Sequence, residues 1–215
     1  MNLRGAAVFL DFDGTVTTYD TGLYLLEQLA APEWRAIEQR YLAGEIGSRE
    51  CMVGQWDLVP RDRDRIESVT RAVPLDPGFP ALVDHLRSAG ATVTIVSDGY
   101  GFRAREVAAD AGLPVLTNDV DWATFEIRFP DQDPSCPCAA CGTCKQAPIR
   151  EAQSRGAGTV LIGDGASDAK AAELADVVFA KDRLAGWCRD RGRAFTPFSD
   201  LTDLVSTLVK DADLS

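Results

Sequence analysis

Long hydrophobic runs, histidine and lysine are all scarce in this chain of 215 residues. No apolar stretch reaches the roughly 18 residues that a membrane helix requires, so no membrane span is expected. The opening MNLRGAAVFLDFDG holds one arginine and a short apolar run that stops on acids. That is not the pattern of a secretory leader, and a cytoplasmic protein with reduced thiols is the expectation. Positive charge is also short: 22 Lys and Arg stand against 33 Asp and Glu, a net charge of -11. Nucleic acids and anionic membranes both ask for basic surface, so neither is an expected partner. The single histidine, His85, falls on an amphipathic helical pattern and reads as a packing or surface residue. There is no internal repeat and no low-complexity segment. What is there is ordinary for a globular protein, 46% hydrophobic and 26% charged, with length for one sizeable core and a small accessory subdomain.

The stretch around which the rest is organised runs from Ala6 to Thr17, AAVFLDFDGTVT. A short apolar run that ends in turn chemistry reads as a buried strand. Two acids, Asp11 and Asp13, sit at its carboxyl end. Two residues apart in extended geometry, they point to one side, and buried acids need a compensating cation. From 18 to 74 the pattern changes to helical spacing, with Leu23, Leu25, Leu26 and Leu29, then Trp34, Ile37 and Tyr41, then Met52, Val53 and Trp56. Ser48 reads as an N-cap, and the charged run at 61–65 as a solvated helix face. No strand signal interrupts this block, which reads as a small helical bundle inserted after the first strand. Residues 1–17 and 75–215 then form the main domain. Its apolar β-branched runs at 92–96, 115–117, 159–162 and 177–179 alternate with helical segments, and Ala123 to Phe129 reads as a hairpin arm or flap. That alternation predicts an α/β fold, a Rossmann-like, doubly wound parallel sheet with helices on both faces.

Three of the expected strands end alike, in LDFDG, VSDG and IGDG. Ligands of open parallel sheets bind outside the carboxyl ends of the strands. Acids gathered there repel one another, and Mg²⁺, a hard oxygen-seeking ion commonly held by carboxylates and substrate phosphate, relieves the repulsion. The set fits phosphoryl transfer. Asp11 attacks phosphorus and forms an aspartyl-phosphate, while Asp13 protonates the leaving oxygen and then activates water. Ser97, with Asp98 and Gly99, hydrogen-bonds the phosphoryl oxygens. Lys145 balances charge, with Lys170 and Lys181 as its rivals. Asp164 holds the metal, and Asp168 holds a metal-bound water or orients Lys145. Asp20, just past the first motif, contacts substrate or caps the following helix. Arg103 reads as a surface arginine within possible reach of a phosphate.

DFDGTVT, VSDG, Lys145 and GDGASD, in this order and spacing, resemble the haloacid dehalogenase superfamily of aspartate-nucleophile phosphohydrolases over the whole chain. The helical block looks like that superfamily's small cap, of the type found in its phosphoserine-phosphatase-like branch. VSDG at 96–99, CGTCK at 141–145, FAKD at 179–182 and TPFSD at 196–200 are similar to the subgroup of 2-hydroxy-3-keto-5-methylthiopentenyl-1-phosphate phosphatases. The resemblance implies a Mg²⁺-dependent phosphomonoesterase acting on a small phosphorylated metabolite, with Mg²⁺ bound by Asp11, Asp164 and the backbone carbonyl of Asp13. Phosphoserine and phosphocholine or phosphoethanolamine are alternative substrates. A phosphotransferase on the same scaffold and an idle metal- or phosphate-binding sensor are alternative functions. Asp98 stands where phosphoserine phosphatases usually carry glycine.

The cysteine-rich loop at 136–144 places Cys136, Cys138, Cys141 and Cys144 close together. Such thiolate clusters favour a structural tetrahedral Zn²⁺, with free thiols and a disulfide as the alternatives. The expected purpose of the loop is to brace Lys145.

Overall fold

The computed structural model describes residues 3–131, 133 and 140–213. The apolar run Ala7–Leu10 is strand β1. Four helices follow: α1 (Thr21–Leu29), α2 (Trp34–Leu42), α3 (Ser48–Trp56) and α4 (Arg63–Arg71). The chain then alternates α5 (Phe79–Ser88), β2 (Thr92–Ser97), α6 (Phe102–Ala111) and β3 (Val115–Thr117). A hairpin, β4 (Asp119–Asp121) with β5 (Glu126–Arg128), precedes α7 (Gln146–Ser154) and β6 (Thr159–Gly163). A short 3-10 turn at Ala166–Asp168 leads into α8 (Ala169–Leu174), then β7 (Val177–Ala180), α9 (Asp182–Arg191), β8 (Thr196–Pro197) and α10 (Leu201–Asp213).

The main sheet has six strands in the order β3-β2-β1-β6-β7-β8, and every neighbouring pair is parallel. Period-two alternation explains how both faces are covered. Val8 and Leu10 of β1, Val160 and Ile162 of β6, and Val93 and Ile95 of β2 share one core with α5, α6 and α10. Phe9, Leu161 and Val96 point the other way, into a second core with α7, α8 and α9. The predicted doubly wound α/β class is therefore the observed one.

A third apolar cluster lies on the helical insertion. Leu25, Leu26, Trp34, Met52, Trp56 and Ile66 pack there with Tyr100 and Val120. The β4–β5 hairpin closes one side of it, with Trp56 Nε1 donating to the Phe125 carbonyl at 2.8 Å. The two crossings between insertion and sheet domain lie side by side, because Thr17 and Leu75 form an antiparallel bridge.

Several local expectations are revised. Gly47, not Ser48, flanks the start of α3, and the Ser48 hydroxyl donates instead to Asp98 at 2.6 Å. The charged run at 61–65 is exposed along its whole length, as expected, and within it the Arg63 guanidinium also lies 5.0 Å from the Trp122 ring centre. The segment at 123–129 is one arm of a hairpin whose other arm, β4, is too short and acidic to show a strand pattern. The same brevity hides β8, two residues long.

Ile95 is fully buried at the centre of the larger core. Its truncation, Ile95→Ala, should lower unfolding free energy by about 2–5 kcal/mol, read from urea denaturation.

Candidate active site

β1 lies between β2 and β6, and the chain leaves it in opposite directions across the sheet. This is a topological switch point, where a crevice opens at the carboxyl ends of the strands. Leu10 pairs with Ile95 on one side and Ile162 on the other, so Asp11, Ser97 and Asp164 emerge from adjacent strands. Asp11 still belongs to the ladder, donating its N–H to the Ile162 carbonyl at 2.9 Å.

Lys145 comes from the residue before α7, and its Nζ donates to Asp11 Oδ1 at 2.5 Å and to Asp168 Oδ1 at 2.7 Å. All three residues are buried. The other oxygen of Asp168 accepts from the Gly165 N–H at 3.0 Å, which fixes the carboxylate facing the lysine. Burial opposes the charge on Lys145, but the two acids outweigh it and hold its ammonium above the ordinary lysine range. Burial, followed by the charge of Asp168, pushes the Asp11 carboxyl well above the ordinary range in spite of Lys145. Burial and Asp168 raise Asp164 as well.

Asp13 is held apart from these acids. Its Oδ1 accepts from the Thr21 N–H at 2.9 Å and the Thr21 hydroxyl at 2.5 Å, both at the start of α1. Its Oδ2 accepts from the Ser97 hydroxyl at 3.3 Å, and the Ser97 oxygen accepts from the Gly99 N–H at 3.1 Å. Thr15 donates to Asp164 Oδ1 at 2.8 Å. Gly14 adopts a positive φ of 76°, and a side chain there would run into Asp164. Glycine at this position is thus required both by backbone conformation and by the close approach of two motifs.

Among the described residues, Asp11, Asp164 and Asp168 form a group able to hold a cation, with one oxygen from each lying within 4.8 Å of the others. The donor set is all carboxylate oxygen, and two of its members are raised even with a lysine present. That is the chemistry of a site short of positive charge, which suits a hard divalent ion such as Mg²⁺. The Asp13 side chain faces Thr21 and Ser97, so any part it takes in metal binding falls to its backbone carbonyl.

Asp98 has surroundings that do not match the expected phosphate contact. One of its oxygens accepts from Ser48 Oγ at 2.6 Å, and the other from the Thr143 N–H at 2.8 Å and Asn118 Nδ2 at 3.3 Å. A carboxylate so engaged repels phosphate rather than binding it. It instead joins the insertion to the loop that presents Lys145. The same junction is reinforced by the Arg49 N–H, which donates to the Ala140 carbonyl at 3.1 Å.

Asp20 caps α1, with Oδ1 accepting from the Leu23 N–H at 2.8 Å. It also lines the cavity above Asp11 and Asp13. Crowding by protein, then the charge of Asp13, pushes its carboxyl up to about 7, a shift tempered by the residue's exposure to solvent. Lys170 is exposed, Lys181 lies over the Phe198 ring, and Arg103 pairs with Glu106 at 2.7 Å. None of these joins the acid cluster. Cys136 and Cys138 lie outside the described residues, so the four-thiol zinc expectation extends beyond what the structure describes. Cys144 is buried and Cys141 half-buried.

The cavity has a volume of about 400 Å³. Its floor carries Asp11, Asp13 and Asp164, and the insertion supplies Leu23, Leu26, Glu38, Tyr41, Met52 and Gln55. Sequence reading missed Thr21, Asn118 and this lining. Asn118 alone carried a signal, a polar residue directly after the strand run VLT.

A family model described as haloacid dehalogenase-like hydrolase matches residues 8–173. A 2-hydroxy-3-keto-5-methylthiopentenyl-1-phosphate phosphatase of Exiguobacterium sibiricum is 32% identical over 94% of this chain and 95% of its own. One from Geobacillus kaustophilus is 30% identical over 94% of each. Among solved structures, a substrate-bound phosphoserine phosphatase complex is similar at a TM-score of 0.71 and 15% identity, covering 95% of this chain and 98% of that one. The phosphoserine phosphatase of T. onnurineus reaches a TM-score of 0.72 at 19% identity, covering 96% of this chain and 95% of that one. These structural likenesses speak for the fold.

Two expectations follow from the geometry. An acid raised on folding binds its proton more tightly in the folded state, so the metal-free site is most favourable below the ordinary carboxylate range, near 3.8. Its contribution falls as pH climbs through the raised values. Mg²⁺ should therefore raise the melting temperature more at about pH 8 than at about pH 5. At a hundredfold excess over its dissociation constant the rise should be roughly 5–10 °C, and Asp164→Asn should remove it. Second, Asp98→Ala should cost about 1–3 kcal/mol of stability. In that background Ser48→Ala should cost little more, a coupling that a double-mutant cycle would measure.

Proposed function

The chain belongs to the haloacid dehalogenase-like hydrolase family, and on that footing we propose that it is a Mg²⁺-dependent phosphomonoesterase working through an aspartyl-phosphate on Asp11. The observation that carries this reading is the Lys145 ammonium held between Asp168 and Asp11, the acid of this pair that lines the cavity. An ammonium has three donors, and two are taken by these acids, so the third is available to a phosphoryl oxygen. Lys145 thereby aligns the nucleophile and shields it from the charge of the group it attacks. The Asp11 carboxylate forms the bond to phosphorus as the leaving oxygen departs.

Asp13 has its Oδ1 fixed by Thr21, which leaves Oδ2, beside Ser97, to exchange a proton. It gives that proton to the leaving oxygen and later takes one from the water that hydrolyses the intermediate. The Ser97 hydroxyl and the Gly99 N–H lie on the same side and would hold phosphoryl oxygens. Mg²⁺, held by Asp11, Asp164 and the Asp13 carbonyl, would supply positive charge against the phosphoryl group. Asp168 acts through Lys145, which it orients.

As substrate we propose 2-hydroxy-3-keto-5-methylthiopentenyl-1-phosphate, on the strength of relatives bearing that name. The lining from the insertion is compatible with it. Among the described residues, the insertion contributes Leu23, Leu26 and Met52 to the cavity, and the basic side chain on its wall, Arg183, comes from α9. A methylthio tail would find apolar surface on the insertion side. Asp20 faces the organic part of the substrate, and residues 18–74 serve as a cap closing over it. We place the reaction in the cytoplasm, on small metabolites. The acidity of the chain argues against nucleic-acid and anionic-membrane partners, and among the described residues no helix is long and apolar enough to cross a membrane.

Asp11→Asn should lower turnover of p-nitrophenyl phosphate in the presence of Mg²⁺ by about 10⁴-fold or more, with circular dichroism unchanged. Retained turnover in that variant would sink the nucleophile assignment.

A further inference from the structure

Arg183 belongs to the first turn of α9 and lies on the wall of the cavity. It is an exposed residue, so it marks a place where the cavity meets solvent. The backbone on either side of it is tied to the Gly163–Asp164 motif. The Lys181 N–H donates to the Gly163 carbonyl at 3.2 Å, and the Leu184 N–H to the Asp164 carbonyl at 2.8 Å. Leu184 is itself fully buried. The arginine is therefore rooted beside an acid of the cation-holding group, on the sheet-domain side of the cavity and not on the insertion.

The charges around Arg183 decide what it can meet. Asp11, Asp13, Asp20, Glu38, Asp98 and Asp164 all line the cavity, and among the described lining residues Arg183 is the one base. The Lys145 ammonium is buried and already shared between Asp11 and Asp168. Among the described residues the Arg183 guanidinium makes no hydrogen bond, ion pair or ring contact. A phosphomonoester is close to doubly charged at neutral pH, and a wall of acids repels it on its way in. A guanidinium offers a planar fork of donors that matches phosphate oxygens. An uncommitted guanidinium at the opening of an acidic cavity is thus placed to offset that repulsion.

We propose that Arg183 is a phosphate-binding residue whose guanidinium meets the phosphoryl oxygens of the incoming monoester where the cavity opens to solvent. Its effect falls on capture of substrate and not on the chemical step. The proposal rests on the phosphatase reading and adds to it the cation by which the substrate is admitted.

The test compares wild type, Arg183→Ala, Arg183→Lys and Arg155→Ala in the presence of Mg²⁺. Arg155 pairs with Glu151 on the surface, so its removal deletes an equal charge away from the cavity. The probes are p-nitrophenyl phosphate as substrate and inorganic phosphate as competitor, and neither carries a second anionic group. Arg183→Ala should raise KM and the inhibition constant of phosphate about fivefold, the scale of a well-placed exposed ion pair, and leave kcat within about twofold. Arg183→Lys should recover part of the loss, and Arg155→Ala should show none. The gap between wild type and Arg183→Ala should narrow as NaCl rises from about 20 mM to about 0.5 M, which the loss of a merely structural contact would not produce. Unchanged constants, a loss confined to kcat, no recovery with lysine, an equal loss in Arg155→Ala, or a gap indifferent to salt would each overturn the assignment. Failure of the wild type to hydrolyse p-nitrophenyl phosphate would overturn the phosphatase reading instead, and calorimetric titration with inorganic phosphate would still report on Arg183.

Discussion

A single buried ammonium makes this site possible. Lys145 sits among Asp11, Asp164 and Asp168 in a place where acids alone would bind protons and cease to act as carboxylates. Removing one member of a buried charged set leaves the others uncompensated, which costs far more than the set contributes to folding. Much of the surrounding structure serves to bring that ammonium to Asp11, 134 residues away in the chain. The sheet order sets β1 beside β6, the start of α7 aims the lysine, and Asp98 fastens the preceding loop through the Thr143 N–H. Asp168 completes the arrangement from the far side, its second oxygen fixed by a backbone amide.

Above this floor the chemistry changes character. The sheet domain supplies acids, a lysine and small polar groups. The helical insertion supplies leucines, a methionine and a Glu38–Gln55 pair. Phosphoryl transfer needs the same few groups whatever the leaving alcohol, whereas selectivity needs a surface matched to that alcohol. The chain separates the two demands by position. Thr21 is where they meet, since it opens the first helix of the insertion and also fixes the Asp13 carboxylate.

The fold was legible wherever a strand combined β-branched residues with a polar terminus. The runs ending at Asp11, Ser97 and Asp164 could be read as strands and as ligand positions at once, because burial explains the apolar part and only chemistry explains the acids. Position in the chain could not reveal partners. Ser48 has the composition of a cap, but its hydroxyl turns to Asp98, 50 residues away, since Gly47 already flanks the helix start. Asp98 has the spacing of a phosphate-loop residue, yet its oxygens are occupied by three donors that converge only after folding. The strands β4 and β8 are too short for periodicity to register. Arg183 looks like any surface arginine until the cavity is seen to reach it.

The bridge between Thr17 and Leu75 has a consequence for how such a chain can diversify. Thr18 donates its N–H to the Pro74 carbonyl at 3.0 Å, and Asp76 donates its N–H to the Val16 carbonyl at 2.8 Å. The insertion therefore leaves and rejoins the sheet domain through neighbouring, mutually bonded backbone. Segments whose ends already meet can be exchanged for others of different length at small entropic cost. The junction is in effect a socket. A lineage could replace everything between these two crossings and alter which alcohol is recognised, while the acids and the lysine below keep their places.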